Sequence, residues 1–262
     1  WFSALSYHEK AEIKIYNRIN PLTPWNIQGR MHDKYLIVDD FAYILGGRNT
    51  YNYFLGDYGT GYKNYDRELL IVREGGSIEE LKNYFWNIWS LDCSGYFHDS
   101  VTLSKEREVS EKIALLKDRY LELQERYPEA FEAKSYMEET YPCSEVTLVS
   151  NPVDTSIKEP WVFYAITELM KSAKEEVHIH SPYIVCNDYM YRSLEKIVRR
   201  VPRVTLTINS PANGGNLIAS SDYLREKERI LDTGLEVYEY NGGLSYHGKT
   251  ILMDNRLSIV GS

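Results

Sequence analysis

Hydrophobic and polar positions along this chain follow two rhythms, and their alternation predicts the elements of its second half. Short β-branched runs, EVTLVSN (145–151), EVHIHSPYIV (176–185), RVTLTIN (203–209) and LEVYEY (235–240), read as strands. Between them lie helical patterns: PWVFYAITELMKSAK, with Pro160 at its start, a helix near Asp188–Arg200, and a charged helix around Asp222–Thr233. The last of these stops at Gly234, as helices often do. A turn at Gly242–Gly243 and the paired runs KTILMD and LSIVGS complete the chain. Strands alternating with helices predict an α/β sandwich with a mixed sheet.

The first half is built from fewer such runs. AEIKIYN (11–17) stands where LEVYEYN stands in the second half, and YDRELLIV (65–72) and the helical SIEELKNYFWNIWS follow. Farther on, Val109, Ile113, Leu116, Tyr120, Leu123 and Tyr127 form one stripe of an amphipathic helix that ends near Pro128. Its polar face mixes both signs, which predicts a connector packed against a lobe rather than a helix lying on anionic lipid. The expected organisation is a first lobe over 1–92, a helical connector over 93–144 and a second lobe over 145–262. Both lobes are expected to be incomplete, because the chain opens at Trp1 and closes within a strand pattern.

Composition narrows the class. Of 262 residues, 43% are hydrophobic and 26% charged, and the formal net charge is −8, so no basic field favours a nucleic-acid backbone. Cys93, Cys143 and Cys186 are too widely spaced for a zinc pattern or a disulfide framework. No apolar run approaches the roughly 20 residues that span a bilayer.

The chemistry is carried by a repeat. RMHDKYLIVDDFAYILGG (30–47) and SYHGKTILMDNRLSIVGS (245–262) share one frame, displaced by 215 positions (247 − 32). The shift carries His32 to His247, Lys34 to Lys249, Asp39 to Asp254 and Gly46 to Gly261. In extended chain, residues i and i+2 project to one face, so each histidine shares a face with its lysine. Each aspartate, five residues beyond its lysine, faces the other way, which predicts a structural role at the strand end. His178 and His180, at i and i+2, have no further ligands at metal-site spacing and read as ordinary sheet residues. The aromatic stretch TYNYFLGDYGTGYKNYD (50–66) reads equally as a rim for acyl chains or as loop packing.

HDKYLIVD…GGRN and HGKTILMD…GS resemble the two signature motifs of the phospholipase D superfamily. NPVD, AKEEVHIHSPYIV, TINSPANGG and LEVYEYNGG are similar to its bacterial cardiolipin-synthase-like branch. The resemblance implies a duplicated α-β-α sandwich with mixed sheets, whose two lobes, related by a pseudo-two-fold axis, share one catalytic site. It departs from the family in ending at Ser262, before the asparagine that normally follows Gly-Ser, and in lacking an acidic residue in NSPANGGN.

The implied chemistry suits these residue types. One imidazole attacks phosphorus, the other protonates the leaving oxygen, and Lys34 and Lys249 offset charge on the phosphoryl oxygens, so no metal or cofactor is required. The resemblance also places an acidic residue, Glu68 or alternatively Asp66, against the nucleophilic histidine. That assigns His32 as nucleophile and His247 as acid. Asn49, after Gly46 and Gly47, could reach the phosphate, and the glycines permit either close approach or a plain turn. The expected partners are a phospholipid and an alcohol acceptor at a bacterial membrane surface, with nucleic acid disfavoured. The competing readings are a hydrolase, lipid or nucleic acid, and an inactive membrane-associated scaffold.

Overall fold

The structure, a computed structural model, describes residues 1–51, 54, 64–72, 75–97, 106–155, 159–213 and 216–261. From the N-terminus, helix α1 (Phe2–Ser6) and strand β1 (Lys14–Tyr16) precede a hairpin, β2 (Tyr35–Val38) and β3 (Ala42–Gly46). Strands β4 (Asn64–Tyr65) and β5 (Glu68–Val72), helix α2 (Gly75–Trp89), strand β6 (Ser94–Tyr96) and helix α3 (Glu106–Arg126) follow. The second half runs α4 (Trp161–Lys171), β7 (Glu176–His180), α5 (Asp188–Val198), β8 (Arg203–Asn209), α6 (Leu217–Asp232) and β9 (Glu236–Tyr240). It closes with β10 (Ser245–Tyr246), β11 (Lys249–Met253) and β12 (Leu257–Gly261).

Two compact units result. One comprises Trp1–Met31, Glu80–Glu145 and Val153–Ile157; the other comprises His32–Glu79, Val146–Pro152 and Lys158–Ser262. Both His-Lys motifs fall in the second unit. Its main sheet has the order β12-β11-β7-β8-β9. Strands β7, β8 and β9 are parallel, and helices make the crossovers that parallel pairing demands. Asn187 and Asn216 start α5 and α6 by accepting the backbone N–H of Met190 and Ala219. Gly234 ends α6 at φ +86°, where a Cβ would also strike the Val198 side chain at 2.9 Å. Val177, Val204, Leu206, Ile208 and Met253 of the sheet pack with Leu194, Ile197, Tyr223 and Ile230 of α5 and α6. The α/β class and the mixed sheet expected from the sequence are borne out.

The duplicated motif is duplicated in register. Tyr35 pairs with Leu45 and Val38 with Ala42; at the same shift of 215 positions Thr250 pairs with Val260 and Met253 with Leu257. Asp39 and Asp254 both turn their hairpin at φ 50°. The hairpins differ in their third strand. In the first, β3 pairs with β5; in the second, β11 pairs with β7. Strand β12 lies against β3 and β5, so the two hairpins meet within the unit.

Three expectations need correction. EVTLVSN joins no sheet among the described residues; Val146 and Leu148 are half-buried in an extended segment, and Asn151 accepts the N–H of Val162 at the start of α4. Alternating burial marks an extended chain, but a strand also needs a free edge to pair with. AEIKIYN does not mirror LEVYEYN, since β1 pairs antiparallel with β6 in a separate ribbon of the first unit. The stripe of α3 is only partly covered: Val109 is buried and α1 lies against the helix, but Tyr120, Leu123 and Tyr127 are exposed. Helical periodicity predicts an apolar face, not what covers it.

Asp254 shows what the aspartate of the motif does. Its carboxylate accepts the backbone N–H groups of Lys174, Glu175 and Glu176 at 2.7, 2.9 and 3.0 Å, which fastens the turn to the start of β7. Those three donors hold the carboxyl below its ordinary range. A carboxylate stabilised in the folded state contributes above its unfolded pKa, and the contribution is lost as pH falls through the lower folded value. Asp254→Asn should therefore lower the melting temperature at neutral pH, and the gap to the parent should narrow only as the pH is taken below 3.8. Thermal melts across pH will show this; a gap independent of pH would reject the account.

Candidate active site

The two motifs reach one another through a short parallel ladder. Strand β10 pairs with β4, Ser245 opposite Asn64 and Tyr246 opposite Tyr65. The His247 N–H then donates to the Tyr65 carbonyl at 2.6 Å. One residue beyond that carbonyl, Asp66 Oδ2 lies 2.8 Å from His247 Nδ1. The Asp66 side chain is 0% exposed and that of His247 is 15% exposed, so the pair is screened little by water. Burial opposes ionisation of Asp66, but hydrogen bonds from His247 and the Arg67 N–H, with the His247 and Lys249 charges, outweigh it and hold its carboxyl low. A carboxylate at Nδ1 fixes the tautomer that presents Nε2 outward.

Each histidine has its lysine beside it. Lys34 Nζ lies 2.9 Å from His32 Nδ1 and also donates to the His32 carbonyl. Lys249 Nζ lies 3.3 and 3.4 Å from the two ring nitrogens of His247 and donates to its carbonyl at 2.7 Å. The groups share one field. Burial lowers the pKa of His32, and Lys34, Lys249 and His247 lower it further, with Asp33 opposing. Burial pushes Lys249 down to about 8; Asp66 partly restores it and Lys34 opposes. Lys34 is likewise lowered by burial, against Asp33 and Asp66. The two His-Lys pairs thus lie near enough for each to feel the other's charge.

The acidic residues are arranged otherwise than the resemblance implied. Glu68 pairs with the Arg48 guanidinium through both of its oxygens and makes no contact with a histidine among the described residues. The carboxylate on a histidine is that of Asp66, and the ring it holds is His247, not His32. The break between two strands explains this. Glu68 is a β5 residue opposite Gly46, while Asp66 lies before β5, beside the end of β4. Gly46 and Gly47 serve close approach: a Cβ on Gly46 would come within 2.6 Å of the Arg67 carbonyl oxygen, and one on Gly47 within 2.7 Å of Asp66 Oδ1. Asn49 follows them in a turn, its carbonyl accepting the Tyr51 N–H. Ser262, His98, Gly214, Gly215 and most of the 50–66 aromatic stretch lie outside the described residues. His178 is engaged by Thr205 and Glu176, as a sheet residue. Among the described residues no three His, Cys, Asp or Glu are grouped as a metal site.

Two supports had not been singled out in the sequence. Arg48 donates to the Phe54 carbonyl as well as to Glu68, and the Phe54 ring meets His247 edge-on with centroids 5.0 Å apart. Asn209, buried at the end of β8, treats Tyr246 as a strand would. Its Nδ2 donates to the Tyr246 carbonyl at 2.8 Å, and its Oδ1 accepts the Tyr246 N–H at 2.9 Å. A polar residue closing an apolar strand at the carboxyl edge of a parallel sheet was the available signal, since ligand sites gather there.

The α/β unit thus carries both His-Lys motifs, with a buried carboxylate against the second histidine. Residues 166–262 match the family described as "Cardiolipin synthase, PLD-like domain", which bears out the resemblance read from the motifs. An uncharacterised protein of Helicobacter pylori is 26% identical, covering 98% of this chain and 57% of its own length. Cardiolipin synthase C of Escherichia coli is 23% identical, covering 98% of this chain and 62% of its own. The chain thus spans about six-tenths of the length of these relatives. A phosphatidylserine synthase structure from Haemophilus influenzae aligns over 86% of this chain and 52% of its own at 16% identity and a TM-score of 0.47.

Asn209→Leu keeps the γ-branched shape and removes the clamp on Tyr246. It should weaken the Asp66–His247 hydrogen bond while the sheet still folds. The downfield Nδ1–H proton signal of His247 should broaden or vanish in the variant, and an unchanged signal would show that Asn209 does not position the ring.

Proposed function

We propose that the protein transfers a phosphatidyl group between alcohols through a covalent phosphohistidine. The observation that supports this best is the convergence of His32, Lys34, His247 and Lys249 on one field around Asp66. In this reading a nitrogen of neutral His32 forms a bond to phosphorus as the P–O bond to the first alcohol breaks. His247 gives its proton to the departing oxygen. A second alcohol then gives a proton to His247 and attacks phosphorus, and the P–N bond to His32 breaks. The acceptor ends with the phosphatidyl group and both histidines are regenerated. Lys34 and Lys249 bear the charge on the non-bridging oxygens, as donors set in place before the reaction.

The roles are now supported on different grounds from the sequence argument. His32, lowered by burial and three cationic neighbours, is neutral near pH 7 and able to attack. His247, aimed by Asp66, is suited to carry a proton between oxygens. Relatives named cardiolipin synthases support a glycerophospholipid donor and a lipid alcohol acceptor. No helix among the described residues is long and apolar enough to cross a membrane.

Two outcomes test the scheme in the protein that carries this chain. His32→Asn should reduce turnover of phosphatidylglycerol to cardiolipin by at least about a thousandfold, as loss of a nucleophile does. Residual turnover near the parental rate would remove His32 from that role, and release of phosphatidic acid without cardiolipin would replace transfer by hydrolysis. The pH profile of kcat/KM, which reports the free enzyme, should already be on its acid-side plateau at pH 7 because His32 titrates below 6.5. It should fall as pH rises through about 8, where Lys249 loses its proton. Lys249→Arg should move that alkaline limb upward, and a limb that stays in place would assign it to another group.

A further inference from the structure

The segment from Asn17 to Arg30 is a closed loop that holds apolar side chains out in water. Its base is fastened by Asn17, buried and at φ 44°, whose Nδ2 donates to the carbonyls of Asn26 and Gly29 at 2.7 and 2.6 Å. Arg30 Nη1 donates back to the Asn17 carbonyl at 2.8 Å, and the Asn17 N–H donates to the Cys93 carbonyl at 2.7 Å. Tight turns follow one another inside it, with the N–H groups of Thr23, Asn26 and Gly29 donating to the carbonyls of Asn20, Thr23 and Asn26. Such loops, with ends drawn together and internal packing, keep a fixed shape and often carry function. On this frame Ile19 is 72% exposed, Leu22 82%, Trp25 72% and Ile27 52%. A flexible loop would fold such residues back, whereas here the backbone bonds prevent it.

The charge around these side chains is also unusual. The chain carries 38 acidic residues against 30 lysines and arginines, yet residues 13–32 contain no Asp or Glu and include Lys14, Arg18 and Arg30. Arg18 and Arg30 are exposed and donate to backbone carbonyls, the former to Tyr96, and neither meets a carboxylate among the described residues. Tryptophan and leucine beside unneutralised arginines match a bilayer interface, where an indole sits at headgroup depth and cations meet anionic lipid.

We infer that the Asn17–Arg30 loop docks this chain on an anionic bilayer by inserting Leu22 and Trp25, with Ile19 and Ile27 at the headgroup boundary. The inference extends the lipid-substrate reading above, and its test needs no turnover. The 262-residue chain is floated with vesicles of phosphatidylcholine alone or mixed with phosphatidylglycerol, beside Leu22→Ala/Trp25→Ala. The parent should bind the mixed vesicles more strongly, with a blue shift in tryptophan emission, and the double variant should bind about tenfold less, in keeping with the apolar area it no longer inserts. Circular dichroism should be the same for both. Parent chain that stays unbound, or a variant that floats equally, overturns the inference. So does a self-association in sedimentation that the variant abolishes, since the occupant would then be a second copy. A protein that binds vesicles through this loop but transfers no phosphatidyl group would reject the proposed reaction and leave the docking intact.

Discussion

The hydrogen bond between Asp66 and His247 joins residues 181 positions apart, and the site is organised around it. It cannot form unless β4 and β10 pair, because that ladder sets Tyr65 and Tyr246 side by side and lets the next residue of each strand reach across. The ladder itself is two residues long, too short to hold by its own hydrogen bonds. Asn209 supplies what is missing, with an amide that satisfies both the N–H and the carbonyl of Tyr246. Gly47 contributes by absence, since any side chain there would occupy the place of the Asp66 carboxylate. Backbone pairing, a buried amide and a missing Cβ thus fix one side-chain contact.

This arrangement shows why part of the site was legible in the sequence and part was not. His32, Lys34, His247 and Lys249 were visible because the duplication repeats their spacing, and the two hairpins reproduce it down to the paired residues. Asp254 was legible by parity, which turns it away from its lysine and toward the backbone at the start of β7. The carboxylate was not. Asp66 and Glu68 are two positions apart and both acidic, so the letters offer two candidates, and which one reaches a ring depends on where β5 begins. Asn209 was hidden for a similar reason: its function lies in pairing with a residue 37 positions later, and no local pattern records that. At the level of the fold, periodicity found α2 to α6 and strands β7, β8, β9, β11 and β12, but it also made a strand of EVTLVSN, which has the half-buried rhythm without a place in the sheet.

The electrostatics of the centre follow from burial first and from like charges second. Lys34, Lys249 and the two imidazoles stand near one buried carboxylate, so positive charge exceeds its local compensation whenever the rings are protonated. After burial, like charge lowers the pKa of His32 through Lys34, Lys249 and His247 and that of Lys249 through Lys34, whereas Lys34 is lowered by burial against the pull of Asp33 and Asp66. Burial leads in all three, although His32 itself is exposed and it is the Asp66–His247 side of the centre that is withdrawn from water. A net charge of −8 over the whole chain does not contradict this, because a shielded centre responds to its neighbours more than to distant surface charge.

A phosphodiester monoanion entering such a centre supplies the compensation that is lacking. Its oxygens would favour the protonated form of both lysines, so binding would draw Lys249 back from about 8 toward the ordinary lysine range. Binding and protonation are then linked: the anion is held more tightly while the lysine keeps its proton, and the lysine keeps its proton better while the anion is present. The same linkage acts on the histidines in opposite directions along the proposed reaction, since one ring must be neutral to attack while the other carries the proton. Four separate cations on a solvated surface would hold an anion without discriminating between the rings. In the proposed scheme Asp66, hydrogen-bonded to His247, supplies the asymmetry between the two rings that an acid and a nucleophile need.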